Sequence, residues 1–324
     1  MIEFSGVSKT YRVAKRQAGM GNALKSFFSR EYNLVHALRD VSFTIGDGEM
    51  VGYIGPNGAG KSTTIKIMCG VLTPDDGACT VNGRIPYRER VAHVRDIGVV
   101  FGQRSQLWWD VPVADSFELI RDIYKVKEDR YRKNLSDLSE LLNLGDILQT
   151  PVRNLSLGQR MRCEIAASLL HDPGVLFLDE PTIGLDAVSK IAVRRFLRRL
   201  NEEKGTTILL TTHDMQDIEA LTRRVLLIGK GRVLMDGNLA ELKKHISSRK
   251  TMTAEYRGPA PALREGMELV QSGEGRIVIR FDPSEIPVSE AVTYFAQLTE
   301  LTDVSVSDIT AEEMAAGLYK EYDL

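Results

Sequence analysis

Residues 55–62 combine a glycine-rich turn with one lysine and one hydroxyl. Small residues let backbone N–H groups turn inward around phosphates, and a helix that starts there adds a favourable dipole. Lys61 would reach the β- and γ-phosphates of a nucleotide, and Ser62 would ligate Mg²⁺. A chance glycine-rich turn is the alternative, but an apolar run before it and a helical pattern after it favour phosphate binding. The predicted phosphate-binding residues are Gly55, Pro56, Asn57, Gly58, Ala59, Gly60, Lys61, Ser62 and Thr63.

Two adjacent carboxylates follow the apolar run Val175–Leu178. Asp179 and Glu180 would stand at the carboxyl end of this strand, where ligands bind in open α/β sheets. We interpret Asp179 as a ligand of Mg²⁺ and Glu180 as the group that orients and polarises the attacking water. The alternative is a solvated acidic turn, which the presence of the phosphate loop disfavours.

A third motif precedes a predicted helix and reads Asn-Leu-Ser-Leu-Gly-Gln-Arg over residues 154–160. Ser156 would cap the helix, and the backbone donors of the first turn would form an anion site with the helix dipole. In isolation this is an ordinary helix cap. Its place just upstream of the paired carboxylates makes it a candidate for binding.

These motifs need elements that bring them together. Strand-length apolar runs alternate with helical patterns through most of the chain, which predicts an α/β fold with a largely parallel sheet covered by helices, a phosphate-loop NTPase core. The predicted strands are Met50–Ile54, Ile97–Val100, Val175–Leu178, Thr207–Leu210 and Val225–Ile228, and the predicted helices are Lys61–Cys69 and Ala187–Leu200.

Two regions depart from this alternation. Residues from about 110 to 170 are almost wholly helical in pattern, which predicts a helical subdomain inserted into the core. The core pattern ends near His245, and residues 246–324 predict a small C-terminal α+β domain with an accessory or regulatory role. Its predicted strands are Arg276–Phe281 and Asp303–Val306, and its predicted helices are Val288–Leu298 and Ala311–Tyr322.

The composition excludes some classes of function. The 324 residues carry 42 Lys and Arg against 44 Asp and Glu, so nothing indicates nucleic acid as a partner. Cys69, Cys79 and Cys163 lack paired spacing and are expected to be buried, unpaired thiols. No run approaches the roughly 18 apolar residues of a membrane-spanning helix. Any membrane role would therefore need another chain.

In type and order, the motifs resemble those of the nucleotide-binding subunits of ATP-binding-cassette (ABC) transporters, over roughly residues 1–245. Residues 55–62 match the Walker A loop, residues 175–180 the Walker B strand and residues 154–160 the signature sequence. The resemblance implies ATP and Mg²⁺ as cofactors and ATP hydrolysis as the activity. It also implies that Gly158 and Gln159 join Ser156 in binding ATP.

The resemblance assigns four more residues. Gln103, in Val-Val-Phe-Gly-Gln, matches the Q-loop glutamine that contacts the metal and the attacking water and faces the permease. Asp186 matches the D-loop aspartate at the dimer interface, and His213 matches the switch histidine that contacts the γ-phosphate. Tyr11 matches the aromatic residue that stacks on adenine. Each has a plainer alternative: a loop glutamine, a helix cap, a surface histidine and a packing tyrosine.

Leu157 departs from the family pattern, because the commonest signature has a second glycine there. A Cβ at that position restricts close approach of the backbone to phosphate. The signature is either disabled or a tolerated subfamily variant. We favour the variant because Ser156, Gly158 and Gln159 are retained.

The resemblance also implies partners. The signature is expected on the helical subdomain, so a second ATPase subunit, identical or paralogous, would pack head to tail and cap the nucleotide. Residues 102–110, 181–184 and 308–319 resemble those of drug-resistance, sodium and viologen exporters. That similarity implies a separate integral-membrane permease, export, and a peripheral position at the cytoplasmic face of the cell membrane. The substrate is not identified, because its contacts belong to the permease.

Two other classes are weighed against this interpretation. A soluble ABC protein acting on ribosomes or DNA usually carries two cassettes or a long coiled-coil insertion, and neither pattern is present here. A regulatory cassette without hydrolysis would not need intact Lys61, Glu180 and His213.

An extra segment at about residues 13–36 has an apolar helical face bordered by basic residues. It would lie on the inner membrane surface or the permease, or else pack on its own domain. The apolar residues are Met20, Leu24, Phe27 and Phe28, and the basic ones are Lys15, Arg16, Lys25 and Arg30.

Overall fold

A computed structural model describes residues 1–14, 32–102, 104–212, 214–241, 249–258 and 260–308. Gln103, His213, most of the 13–36 segment and the predicted helix Ala311–Tyr322 lie outside the described residues. Contacts divide the chain into two compact units, of which the first spans Met1–Gly237 and the second begins at Asn238.

The first unit alternates strands with helices, as the sequence predicts. Its strands are β1 (Ile2–Ala14), β2 (Tyr32–Ile45), β3 (Met50–Ile54), β4 (Asp76–Val81), β5 (Ile97–Phe101), β6 (Val175–Asp179), β7 (Thr207–Thr211), β8 (Arg224–Gly229) and β9 (Arg232–Asn238). Its helices are α1 (Lys61–Met68), α2 (Arg90–Val94), α3 (Val113–Tyr124), α4 (Glu128–Leu142), α5 (Leu157–Leu169), α6 (Ala187–Lys204) and α7 (Met215–Leu221).

A six-stranded sheet with the order β5-β6-β7-β3-β8-β9 forms the centre of this unit. The pairs from β5 through β8 are parallel, so the carboxyl ends of these strands share one edge of the sheet. Val175–Leu178 and all of β7 are buried, which explains their uninterrupted apolar runs. The predicted α/β fold is confirmed.

A second sheet of three antiparallel strands has the order β2-β1-β4. Its apolar face belongs to the same core as β3. There the rings of Phe4 and Phe43 stack with their centres 5.0 Å apart, and the centres of the Phe43 and Tyr53 rings are 6.0 Å apart. Helix α1 contributes to this core through Ile65 and Met68. The core therefore fixes the helix that follows the glycine-rich loop.

The helices α3, α4 and α5 lie between β5 and β6 in the chain. They confirm the predicted helical insertion. Buried Asn134 of α4 donates to the carbonyl oxygen of Leu170 at 2.9 Å, which ties α4 to the end of α5. Across the described parts of the chain, no helix is long and apolar enough to cross a membrane.

The second unit contains an antiparallel sheet with the order β11-β12-β10-β13. Met252, Ile279 and Phe281 of the sheet pack with Phe295 of the helix in a separate core. The predicted strand Arg276–Phe281 and helix Val288–Leu298 match in both bounds. The elements are β10 (Lys250–Arg257), β11 (Met267–Gly273), β12 (Arg276–Phe281), α8 (Val288–Leu298) and β13 (Glu300–Asp308).

Candidate functional site: a phosphate-binding cleft

The glycine-rich loop joins the carboxyl end of β3 to the start of α1. Gly60 caps α1 with φ at 116°, a conformation that L side chains rarely adopt. A Cβ on Gly55 would lie 2.2 Å from the carbonyl oxygen of Ile228, so only glycine fits against β8 there. The loop conformation thus depends on both glycines.

Lys61 is buried, with 7% of its surface exposed. Its ammonium donates hydrogen bonds to the carbonyl oxygens of Gly55 at 2.6 Å and Pro56 at 3.1 Å. Burial lowers the pKa of Lys61, while the charges of Glu180 and Asp179 act in the opposite direction. The cation is therefore held inside the curve of the loop, near both carboxylates.

The remaining loop residues differ in exposure. Asn57, Gly58 and Ser62 are exposed, whereas Ala59 is buried and Thr63 is half-buried. An exposed Ser62 hydroxyl at the first turn of α1 is available to a ligand.

Asp179 and Glu180 stand at the end of β6, at the same edge of the sheet as the loop. Thr211 faces Asp179 in the parallel register, and its hydroxyl donates to Asp179 Oδ1 at 2.6 Å. Glu180 has a positive φ of 55°, and its N–H donates to the carbonyl oxygen of Thr211 at 3.0 Å. Backbone strain of this kind in a non-glycine residue is typical of functional sites.

A cleft of about 700 Å³ connects these groups. It brings Ser62 and Asn57 of the loop together with Asp179 and Glu180, as the sequence predicts. The residues that line it are Asn57, Ser62, Lys66, Val71, Phe101, Gly102, Arg104, Asp179, Glu180 and Ile183.

Gln103, which lies outside the described ranges, has neighbours at this cleft. Gly102 and Arg104 flank Gln103 and both line the cleft, and the N–H of Gly102 donates to the carbonyl oxygen of Asp179 at 2.8 Å. His213, the other predicted residue outside the described ranges, is the second residue after β7 and lies between Thr212 and Asp214 in the chain.

Tyr11 lies in β1, and its hydroxyl is 3.4 Å from Thr63 Oγ1. This contact puts the half-buried ring next to the first turn of α1. The position suits a base bound beside the phosphate loop, although packing against Thr63 is itself a structural role.

The signature motif begins helix α5. Ser156 Oγ accepts from the N–H of Gln159 at 3.2 Å, and the N–H of Ser156 donates to Gln159 Oε1 at 2.9 Å. This reciprocal capping box satisfies two of the backbone donors at the helix start. The N–H groups of Leu157 and Gly158 have no intrahelical acceptor, since they belong to the first turn.

Residues 156–160 are absent from the described lining of the cleft. Leu157 is 37% exposed, and a Cβ on Gly184 would lie 2.7 Å from Leu157 Cδ2. A Cβ on Gly158 would lie 2.4 Å from Ser189 Oγ. The signature thus packs on the start of α6, and no described residue of the motif lines this subunit's phosphate cleft.

Asp186 caps helix α6. Its Oδ1 accepts from the Ser189 N–H at 2.8 Å, and its Oδ2 accepts from Ser189 Oγ at 3.0 Å. These hydrogen bonds, led by the backbone one, hold the pKa of this exposed carboxylate below its usual value. Asp186 therefore acts as a helix cap, which was the plainer alternative. Its carboxylate also lies at the surface.

The sequence interpretation overlooked several polar residues that support the site. Thr211 binds Asp179, and buried Asp217 receives hydrogen bonds from Thr182 and Thr212. Thr182 stands two residues after Glu180, and Thr212 directly precedes His213. The sequence offered one signal for these supporting residues, namely threonine hydroxyls close to two predicted catalytic residues. It could not show that both hydroxyls bind Asp217, because that contact depends on the tertiary structure.

Comparison with known proteins agrees with this geometry. The ABC transporter family profile matches residues 38–183. The chain is 34% identical over 215 residues to the ABC transporter ATP-binding protein NatA of Bacillus subtilis, covering 66% of this chain and 87% of that protein. It is 37% identical to the Nod factor export ATP-binding protein I of Ralstonia nicotianae, covering 63% of each.

A solved structure of the dimeric ATP-binding cassette MJ0796, in a post-hydrolysis state bound to ADP and Pi, is similar in fold. Its TM-score is 0.61 at 25% identity, over 74% of this chain and 99% of that chain. The chain therefore belongs to the ABC transporter family, as an ATP-binding subunit with ATPase activity.

Proposed function

We propose that this subunit powers a separate membrane permease, for export, from a peripheral position at the cytoplasmic face of the membrane. The observation that carries the proposal is the cleft that brings the phosphate loop together with Asp179 and Glu180. Similarity to a protein named for Nod factor export supports the direction of transport.

Within the cleft, backbone N–H groups of residues 55–63 and the Lys61 ammonium hold the ATP phosphates. Release of Lys61 from the Gly55 and Pro56 carbonyls gives it the freedom to meet the phosphates. Ser62, Asp179 and Gln103 would hold Mg²⁺, which neutralises phosphate charge when bound. The exposed Ser62 hydroxyl and the carboxylate of Asp179 line one cleft, and oxygen donors of this kind suit Mg²⁺.

Hydrolysis needs a group that orients water. Glu180 fits that role because it directly follows β6 and its residue lines the cleft. His213 contacts the γ-phosphate, and Tyr11 stacks on adenine.

A second ATPase subunit completes the site. The free first-turn N–H groups of α5 form an anion site, which in this subunit has no phosphate loop opposite it. Packed head to tail, two subunits bring Ser156, Gly158 and Gln159 of one onto the ATP of the other, with Asp186 at the interface. Leu157 is tolerated in this arrangement because its side chain lies over Gly184.

The permease docks beside the Q-loop. Trp108 and Trp109 follow Gln103 by a few residues and are 42% and 52% exposed. The Arg160 guanidinium lies 6.0 Å from the centre of the Trp109 ring, so this surface connects the Q-loop to the signature helix. Exposed adjacent tryptophans are typical of protein interfaces.

The chain is assigned two domains with different roles. Residues 1–245 are the nucleotide-binding domain, with the helical subdomain at about 110–170, and residues 246–324 are an accessory domain that regulates it. Every proposed nucleotide contact lies before residue 237, within the first unit.

The test replaces Glu180 with Gln. Turnover is expected to fall by at least about 100-fold, because a positioned base contributes that much, while ATP still binds and ATP-bound dimers accumulate. Phosphate release and size exclusion with Mg²⁺ and ATP measure both. Glu202→Gln, on the exposed face of α6, is the control and should behave as wild type. Near-normal turnover in Glu180→Gln would reject the assigned catalytic base.

A further inference from the structure

Asp217 of helix α7 is a fully buried carboxylate, with 0% of its surface exposed. Both of its oxygens are used. Oδ2 accepts from the Thr182 hydroxyl and, at 3.4 Å, from the Thr212 hydroxyl, and Oδ1 pairs with the Arg194 guanidinium. Since an unpaired buried charge is costly, these partners hold one another in place.

The partners of Asp217 come from three segments, two of which carry predicted catalytic residues. Thr182 stands two residues after Glu180, and Thr212 stands immediately before His213. Arg194 belongs to helix α6, whose cap is Asp186. A single side chain therefore connects the carboxylate turn, the switch segment and the helix that starts at the expected dimer interface.

A second contact set reinforces this connection. Asp214 caps α7 and pairs with Lys190, and the guanidinium of Arg194 lies 3.7 Å from its Oδ2. The N–H of Asp214 donates to Thr212 Oγ1 at 2.9 Å. The two cations on α6 thus contact the carboxylates of Asp214 and Asp217, which follow His213 in the chain.

We propose that Asp217 is a positioning residue for ATP hydrolysis, which fixes the turn after Glu180 relative to Thr212, the residue before His213, through the hydroxyls of Thr182 and Thr212. This inference rests on the roles proposed above for Glu180 and His213.

A solely structural ion pair would behave differently. Arg224 offers the comparison, because its guanidinium pairs with Glu49 and Asp236 and lies at the amino end of β8, at the opposite sheet edge from the cleft. Loss of such a pair lowers the unfolding temperature, without a specific effect on kcat.

The experiment uses Thr182, which is 2% exposed and can be changed to Val with almost no change in shape. Thr182→Val removes the hydroxyl bound to Asp217, and Thr182→Ser keeps it. Misplacement of reacting groups by about 1 Å can cost about 100-fold in rate. We expect kcat to fall by about tenfold or more in Thr182→Val and Asp217→Asn, while the Kd for ATP stays within about twofold of wild type. The variant Thr182→Ser should keep the wild-type kcat.

Arg224→Lys is the stability control, and its kcat should be unchanged at temperatures where it is folded. Wild-type kcat in Thr182→Val would overturn the inference. The inference would also be overturned if Arg224→Lys lost as much kcat as Thr182→Val when both variants had the same shift in unfolding temperature. Glu180→Gln in the same assay separates the two proposals. If it hydrolyses ATP normally, the assigned site is wrong, and if it is inactive while Thr182→Val is normal, only the role of Asp217 is wrong.

Discussion

Replacement of Leu157 with Gly restores the commonest signature and tests whether the native motif is disabled. Leu157 occupies the first helical position of α5, over Gly184, and keeps 37% of its surface exposed. The side chain therefore packs within its own subunit to a substantial degree. If the variant signature is tolerated, the mutation should cost stability and leave the ATPase rate nearly unchanged.

The cost in stability follows from the burial. Full burial of a leucine is worth about 1.5–3 kcal/mol, so the loss of a partly buried one costs about 1–2 kcal/mol. Glycine within a helix costs up to about 1 kcal/mol more, and less in the first turn. A total near 2 kcal/mol lowers the unfolding temperature by about 4–8 °C for a domain of this size.

The assay combines thermal unfolding with steady-state phosphate release at a temperature where both proteins are folded. We expect kcat within about threefold of wild type, since that corresponds to less than about 1 kcal/mol in the barrier. The matched variant Ser156→Arg should abolish hydrolysis, because it puts a bulky side chain at the capping position. Activation of tenfold or more by Leu157→Gly would refute the argument and show that the native signature is partly disabled.

Two further predictions concern the segments outside the cleft. A chain ending near residue 245 should still bind ATP in calorimetry, because the phosphate loop and both carboxylates lie in the first unit. Lys61→Ala is the non-binding control, and loss of binding in a folded truncated chain would contradict the prediction. Serine at Leu24, Phe27 and Phe28 should leave the unfolding temperature of the isolated subunit nearly unchanged and lower transport or permease-stimulated ATPase, since each basic contact of the segment adds only about 1 kcal/mol at an anionic surface. A markedly lower unfolding temperature would instead assign that segment to the core of its own domain.

Sequence patterns predicted the elements of the phosphate site well because their signals are local. The buried strand Val175–Leu178 and the turn at residues 55–62 are each legible within a few residues. The hydrogen bond between Thr211 and Asp179 was not predictable, since it depends on β6 and β7 being neighbours in the sheet. The order of parallel strands is a non-local property.

The elements that the sequence did not indicate have weak or mixed patterns. Most of β11 is exposed, so it lacks the alternation that predicts a strand. The role of Asp217 was also hidden, because its partners are up to 35 residues away in sequence. An acidic residue on a short helix gives no sign that it is buried until the neighbouring helix and loops are placed.

The central claim is that ATP is held between the phosphate loop of one subunit and Ser156 of another. The most direct test uses two variants, Lys61→Ala and Ser156→Arg, each in a Glu180→Gln background that prevents turnover. The two proteins are mixed with each other in the presence of Mg²⁺ and ATP. Each variant alone has a defect in both of its sites, whereas the mixed dimer has one site with neither defect. We predict that ATP is trapped in dimers only after mixing, at one ATP per dimer, as measured by light scattering and bound radiolabelled nucleotide. Trapping that does not change on mixing would contradict a site shared between subunits.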